Sequence, residues 1–332
     1  MKKFEIKSAP FIHGDETALN LHFDLLFGLI AVMIIAVVQN GFRVLTLCLL
    51  SAFAAWLTET VGLLVARRHG NTDLRSLAMG IIIAMICPVT VPIWVPVSAS
   101  VISVLFVRVL LGNNYKTLFM TPVIAWLYML SVAPGSMMNF PVMRSFGAFP
   151  LFENVDFDYI MSIGSVAQQL QSNQKLTYTF IDVLTGNYPG GFGTTCIFII
   201  LAACLYFIYR KSMAWQVSLS MIITVSLFAL IFNRTQYSPL FSVLYELTAT
   251  SYIFVAVFVA GDLINAPTVN GARVAFGVLT GALTMIFRYM GLSEHCVPLA
   301  LLITNFLAGP LDVLMLYVQI FFLRKRMIRK SY

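Results

Sequence analysis

Charge is scarce in this sequence. Of 332 residues only 11% are charged and 59% are apolar, whereas an average soluble domain carries roughly 25% charged residues. Its 21 basic and 14 acidic residues cannot coat the water-facing surface of a domain this size, which excludes a soluble globular protein and leaves lipid as the solvent. Paired cysteines are missing too. Cys48, Cys87, Cys196, Cys204 and Cys296 are scattered within or at the ends of apolar stretches, so neither a disulfide scaffold nor a zinc site is expected. No phosphate loop, no Gly-x-Gly-x-x-Gly turn and no His/Cys cluster with metal spacing occurs, which argues against soluble nucleotide chemistry and against a metal centre. The opening MKKFEIKSAP is followed by a mixed, largely polar stretch to Asn20 with no small-residue cleavage site after an apolar core, so no cleaved signal peptide is expected. The net charge of +7 lies in short runs beside apolar segments. That pattern predicts membrane orientation rather than a nucleic-acid partner.

What is abundant is apolar sequence in lengths that cross a bilayer. Ten windows run at roughly 21 to 38, 44 to 66, 74 to 89, 91 to 111, 117 to 134, 192 to 209, 213 to 232, 239 to 260, 272 to 290 and 296 to 323, each read as a helix because lipid leaves backbone groups no other partner. The third is short and runs into the turn CPVTVP at 87 to 92. With the amino terminus inside, the cytoplasmic segments collect Lys2, Lys3, Lys7, Arg67, Arg68, Arg75, Arg108, Lys116, Arg210, Lys211, Arg273 and the tail residues Arg324, Lys325, Arg326, Arg329 and Lys330. Only Arg43, Arg144, Lys175, Arg234 and Arg288 fall outside, a strong positive-inside bias. The expectation is a single all-α integral membrane domain over 1–332, multi-pass in a bacterial inner membrane with both termini cytoplasmic. It has a cytoplasmic segment at 1–20, a long outer loop at 135–191 holding Glu153, Asp156 and Asp158, and a basic tail at 324–332. A loop of that length is more often functional than passive.

Five spans on either side of that loop put the second half on the opposite face from the first, so a repeat between halves is an inverted one. The segment from Met79 (MGIIIAMICPVTVPIWVPVSASVISVLFVRVLLG) resembles the segment from Phe254 (FVAVFVAGDLINAPTVNGARVAFGVLTGALTMIFRYMG). Each has an apolar helix, a turn at Pro88 to Thr90 or Pro267 to Val269, and a second helix with a late arginine and a glycine. Two inverted five-helix halves with broken elements are a common way to build a midplane pathway.

Six stretches in series resemble the RnfD/NqrB family, closest to RnfD by length. They are FEIKSAPFIH, LRSLAMGIIIAMICPVTVPIWVPV, FVRVLLGNNYKTLFMTP, LTGNYPGGFGTTCIFIILAACLYFIYR, FVAGDLINAPTVNGARVAFGVLTG and RYMGLSEHCVPLALLITNFLAGPLD, running from Phe4 to Asp312 in the family's order. The resemblance implies a membrane subunit of an ion-translocating oxidoreductase complex of Rnf type. Such a subunit carries FMN, with a second noncovalent flavin, passes electrons between iron-sulfur and flavoprotein partner subunits, and couples this to Na⁺ or H⁺ movement. It also implies a urea-transporter-like bundle. The alternatives are a transporter or channel of the same fold without a redox cofactor, and a scaffold subunit.

The chain departs from the family at the flavin attachment motif. The family esterifies a threonine of "(D/S)GAT" to the FMN phosphate, but the matching region, DYIMSIGSVAQQL, has no threonine. Ser165 takes the leading position and Gln168 the threonine's. Ser165 is the nearest hydroxyl, open to FMN attachment, to a noncovalent flavin contact or to an ordinary role in the loop. Thr194 stands where "GETS" has glutamate, and Thr121 where "FNPA" has asparagine.

Gly190, Gly191, Gly193, Thr194 and Thr195, following Gly186 and Asn187, open the sixth span. Glycine-rich amides at a helix start suit a phosphate, and equally a flexible turn with a threonine cap. Ionisable groups at membrane depth cost roughly 2.5 to 3.5 kcal/mol each, which singles out Glu59 and Glu246 for an ion pathway or for bonds to neighbouring helices. Asp262, in GDLINAP, matches the acid of the family's "ATDP" and stands either near a cation route or as a cap for broken helix ends. Asp24 and Asp312 suit capping or partner contact, Arg108 an orientation anchor, and Glu294 with His295 a capped or solvated turn matching the family's "PEGV".

Overall fold

The computed structural model describes residues 18–65, 74–111, 119–141, 162–172, 178–232 and 238–330. The segment 1–17, Arg67, Arg68, Lys116, Arg144, Lys175, Arg234 and the cluster Glu153, Asp156 and Asp158 lie outside the described residues, as do the side chains of the basic tail.

The first half comprises α1 (Ala18–Asn40), α2 (Arg43–Val65), α3 (Leu74–Ile86), α4 (Trp94–Val104) and α5 (Thr121–Val132), with α4 widening into a π-helical turn at Leu105–Leu110. The loop that follows is not structureless. It carries α6 (Pro134–Met138), the strands β1 (Asn139–Pro141) and β2 (Ser162–Gly164), α7 (Val166–Gln171) and α8 (Phe180–Thr185), with β1 and β2 antiparallel and Phe140 opposite Ile163. The second half comprises α9 (Ile197–Arg210), α10 (Trp215–Ile231), α11 (Pro239–Thr248), α12 (Tyr252–Phe258), α13 (Asn270–Tyr289) and α14 (Cys296–Lys330). Among the described residues five helical stretches are long and apolar enough to cross a membrane, one of them being α11 and α12 taken together (Pro239–Phe258), and five more apolar helices are shorter. The chain is thus an all-α, multi-pass membrane protein, the one small β pair aside.

Its side chains are sorted as lipid requires. On α2 the outward face is Leu49, Phe53, Leu57 and Leu64, while Ser51, Ala52, Ala55, Glu59 and Gly62 point inward. On α10 Leu219, Ile223 and Leu227 face out, and Ser218, Ser220 and Thr224 face in. Large apolar groups outside and small or hydroxylated ones between helices are the reverse of a soluble core, and they let backbones approach closely. A Cβ on Gly80 of α3 would stand 2.6 Å from the Ala52 Cα of α2, and the Ser51 hydroxyl donates to the Gly80 carbonyl at 2.8 Å. In the second half a Cβ on Gly281 of α13 would meet the Thr224 Cβ of α10 at 2.8 Å.

The halves pair their elements alike. In the first, α2 packs on α3 and α4, α1 on α3, and α4 on α5. In the second, α10 packs on α12 and α13, α9 on α12, and α13 on α14. This matches the segments from Met79 and Phe254: each is a helix that stops short, a turn, and a following helix. At about 1.5 Å per residue, the 13 residues of α3 fall well short of a roughly 30 Å hydrocarbon core.

Each interrupted end is completed by the chain entering the second half. The amides of Phe192 and Gly193 donate to the carbonyls of Cys87 and Met85, both at 3.0 Å. On the opposite face the Ala214 amide donates to the Gly261 carbonyl at 2.9 Å, and Met213 bridges to Asp262. The fully buried Arg43 donates to the carbonyls of Val89 and Val91 at 2.9 and 3.1 Å. It therefore holds the turn of the first half as well as flanking a helix.

One expectation needs correction. The window 239 to 260 reads as one span, but it breaks between α11 and α12, where Thr250 and Ser251 take left-handed φ of 57° and 55°. Neither proline nor glycine marks the break; buried polar contacts hold it.

Candidate functional site

The break between α11 and α12 opens onto a narrow pocket where the two halves meet, on the face of the long loop. Ile86 at the end of α3 and Trp126 of α5 come from the first half, Phe140 and Ser165 from the loop, and Gly190, Gly191 and Thr194 from the chain entering α9. Thr248, Thr250, Ser251 and Glu294 come from the second half. It has room for at most about one water molecule. Ser165, Gly190, Gly191 and Thr194 are thus brought together as neighbours. Gly193 and Thr195 lie beside the pocket without lining it, Gly193 being packed on Met85. Thr121, at the far end of α5 from the pocket, does not reach it.

Each wall has a local cause. Gly191 must be glycine because any Cβ would strike the Ile86 carbonyl. Left-handed Thr250 and Ser251 cost about 1–3 kcal/mol each and are held by bonds on three sides. The Thr250 hydroxyl donates to the Ser293 carbonyl at 3.2 Å, Ser251 and Thr194 hydroxyls meet at 2.9 Å, and Arg288 donates to the Ala249 carbonyl at 2.9 Å. Ser165 is the N-cap of α7 in a reciprocal capping box. Its hydroxyl accepts from the Gln168 amide at 3.3 Å, and the Gln168 side-chain oxygen accepts from the Ser165 amide at 3.1 Å.

Glu294 was legible only as a turn residue. It is 5% exposed, lines the pocket, and has a buried Oε1 with no hydrogen-bond partner among the described residues. Burial pushes its carboxyl above the ordinary range, opposed by the Ser165 hydroxyl and by Arg288. A raised value means the folded chain holds this proton more tightly than the unfolded one. The stability it contributes is complete below the ordinary carboxylate pKa and is lost as pH rises through the raised one.

The remaining buried acids have basic partners. Glu246 of α11 meets Arg288 of α13 at 2.9 Å, beneath the pocket, and Glu59 of α2 meets Arg108 at 2.7 Å, toward the opposite face. The two late arginines of the repeated segments therefore each neutralise a buried glutamate. Glu59 also bonds the Ser76 hydroxyl. Asp262 pairs with Arg75 at 2.7 Å, tying the second half's turn to the start of α3. Asp24 pairs with Arg210 at 3.3 Å. Asp312 accepts from the Thr268 and Val269 amides at 2.9 and 3.0 Å, capping the start of α13.

The hydroxyl protons of four side chains around the pocket are committed. Thr194 donates to the Gly191 carbonyl at 3.0 Å, which leaves Ser251 as the donor to Thr194. Thr248 donates to the Tyr245 carbonyl at 3.0 Å, and Thr250 to the Ser293 carbonyl at 3.2 Å. Gln168 offers no hydroxyl for an ester, and Ser165 is buried at 3% exposure with its hydroxyl in the cap of α7. Residues 165–168 therefore do not fit phosphoester-linked FMN, and the pocket does not admit an isoalloxazine ring.

Comparison with known proteins agrees with this architecture. The model of the NQR2, RnfD, RnfE family matches residues 5–319. The chain is 23% identical to the D subunit of the ion-translocating oxidoreductase complex of Haemophilus ducreyi, covering 93% of this chain and 96% of that one. It is 22% identical to the D subunit of the proton-translocating ferredoxin:NAD(+) oxidoreductase complex of Clostridium ljungdahlii, covering 93% of each. It is also 22% identical to the B subunit of the Na(+)-translocating NADH-quinone reductase of Chromohalobacter salexigens, covering 75% of this chain and 60% of that one. A membrane bundle of two like halves, matched by one family model over nearly its whole length, belongs to the NQR2, RnfD, RnfE family.

Proposed function

We propose that this chain is the D-type membrane subunit of an Rnf-type ion-translocating oxidoreductase complex. It lies in a bacterial inner membrane with both termini cytoplasmic, beside partner subunits that carry the other redox groups. The observation that carries this reading is the family match over residues 5–319, supported by relatives whose names are those of complex subunits. The orientation is supported by the excess of basic residues on the face read as cytoplasmic. The flavin implied by the resemblance is held, in this reading, without a phosphoester bond, because Gln168 and the buried Ser165 serve as a helix cap. Gentle detergent extraction of the tagged chain from its native host is expected to recover it with further membrane subunits in fixed ratio. Recovery as a lone polypeptide under conditions that preserve other membrane complexes contradicts the reading.

A second reading, a redox-inactive member of the same fold, is favoured by that same capping box. The visible spectrum of the recovered complex separates the two. A flavin band that bleaches on reduction and leaves with the denatured supernatant supports the first, and a colourless complex supports the second.

A further inference from the structure

The two faces of the bundle join the halves by different means. On the face of the long loop the seam is main chain. The amides of Phe192 and Gly193, entering the second half, donate to the carbonyls of Cys87 and Met85 in the first, both at 3.0 Å, and Gly191 is packed so closely that a Cβ would strike the Ile86 carbonyl. On the opposite face the seam is made of side chains. Arg75 of α3 reaches Asp262, beyond α12, at 2.7 Å, and Asp24 of α1 meets Arg210, the last residue of α9, at 3.3 Å. Each pair joins one half to the other with the polarity reversed, so that each half gives one base and one acid.

The two seams differ in what it costs to part them. Backbone hydrogen bonds are directional, and a buried amide or carbonyl pulled from its partner is left unsatisfied; Cys87 and Phe192 are both buried. Ion pairs near water are resolvated when they separate, so a partly exposed pair contributes little net stability, and salt weakens it further. The Arg210 side chain is 47% exposed, and those of Arg75 and Asp262 keep 10% and 12%. Asp262 does not need Arg75 to stay in place, because it also accepts from the Ile264 amide at 3.2 Å and the Asn265 side chain at 3.3 Å. Between the seams the contact is apolar, as where the Phe207 ring lies on Gly28 of α1, and apolar contact is non-directional. Arg75 and Asp262 line a narrow cavity together with His22, Phe207, Ser212 and Val257. Parting the ion pairs opens that cavity to water while the main-chain seam holds.

We propose that the two ion pairs form a latch and the main-chain seam a hinge, so that the halves part on the face away from the long loop and expose the cavity behind Arg75 and Asp262. The device is built into this chain alone and goes beyond its reading as a complex subunit. Either can fail without the other: co-recovery of subunits tests the complex, and access to the cavity tests the latch.

The experiment is the rate at which a water-soluble maleimide labels a cysteine placed in the cavity, in the purified full chain in lipid nanodiscs. Val257→Cys is a small change at a position 2% exposed, and the parent chain with its five cysteines gives the background. Slow labelling is expected, because position 257 reacts only in a minor open state. Adding Arg75→Gln and Arg210→Gln is expected to speed it about threefold or more, the size of effect of losing partly exposed ion pairs. A cysteine near the hinge, Thr248→Cys, 5% exposed in the loop-face pocket, is expected to stay protected in both backgrounds. Labelling at 257 that does not accelerate in the folded charge variant overturns the proposal, as does opening at 248 as large as at 257. Should the charge variant fail to fold, the salt dependence of the Val257→Cys chain decides it. Faster labelling as KCl rises from about 50 to about 500 mM, relative to free glutathione, is expected, and a flat rate overturns the proposal.

Discussion

Replacing Arg288 with leucine is expected to destabilise the folded chain by about 3–5 kcal/mol, the usual consequence of stranding one member of a buried ion pair. Arg288 and Glu246 are 2% and 1% exposed, and the guanidinium lies 5.7 Å from the centre of the Tyr252 ring. Removing it leaves the Glu246 carboxylate uncompensated and frees the Ala249 carbonyl beside the left-handed Thr250 and Ser251. Denaturant-induced unfolding in mixed micelles measures the loss. The double variant Glu246→Leu with Arg288→Leu is expected to recover most of it, because an apolar pair of similar volume has no charge to desolvate. Equal losses in the single and double variants would show that the backbone carbonyls, rather than the carboxylate, depend on Arg288.

Replacing Arg43 with methionine is the second large effect. Its guanidinium donates to the carbonyls of Val89 and Val91 in the turn between α3 and α4, where the chain has left the helix and cannot satisfy them itself. Each buried acceptor left without a partner costs about 1–3 kcal/mol, so a total loss of about 3 kcal/mol is expected. The damage should be local to that turn. Limited proteolysis with mass spectrometry is expected to show new cleavage within 87–93, while the second half stays protected. Uniform loosening of both halves would contradict a specific role for Arg43.

The apolar segments and their basic flanks were legible because lipid imposes long runs of one chemistry. The repeat was legible at Pro88 and Pro267, where a helix must end and the residue type records it. The break at Thr250 and Ser251 was not. TATSY contains no residue that favours a left-handed backbone, and the cause lies in Thr194, Ser293 and Arg288, which only the fold brings near.

The same applies to the acids. Glu59 and Glu246 stand out in the sequence as ionisable groups inside apolar stretches, but their partners lie far along the chain, 42 residues away for Arg288. Arg43, Arg108 and Arg288 read as flanking charges because hydropathy does not distinguish a helix end in water from one under a loop. Of the residues chosen as a flavin contact, Ser165, Gly190, Gly191 and Thr194 do meet. What they meet around is Glu294, which sequence alone left as a turn residue.

The 165–168 turn is a helix cap rather than an attachment point, and on that the functional reading turns. Intact-mass measurement of the chain isolated from its native membrane tests this most directly. The mass of the unmodified polypeptide at this turn is predicted, with no flavin fluorescence on the denatured band. A chain heavier by one flavin mononucleotide, with the modified peptide containing Ser165, would contradict it.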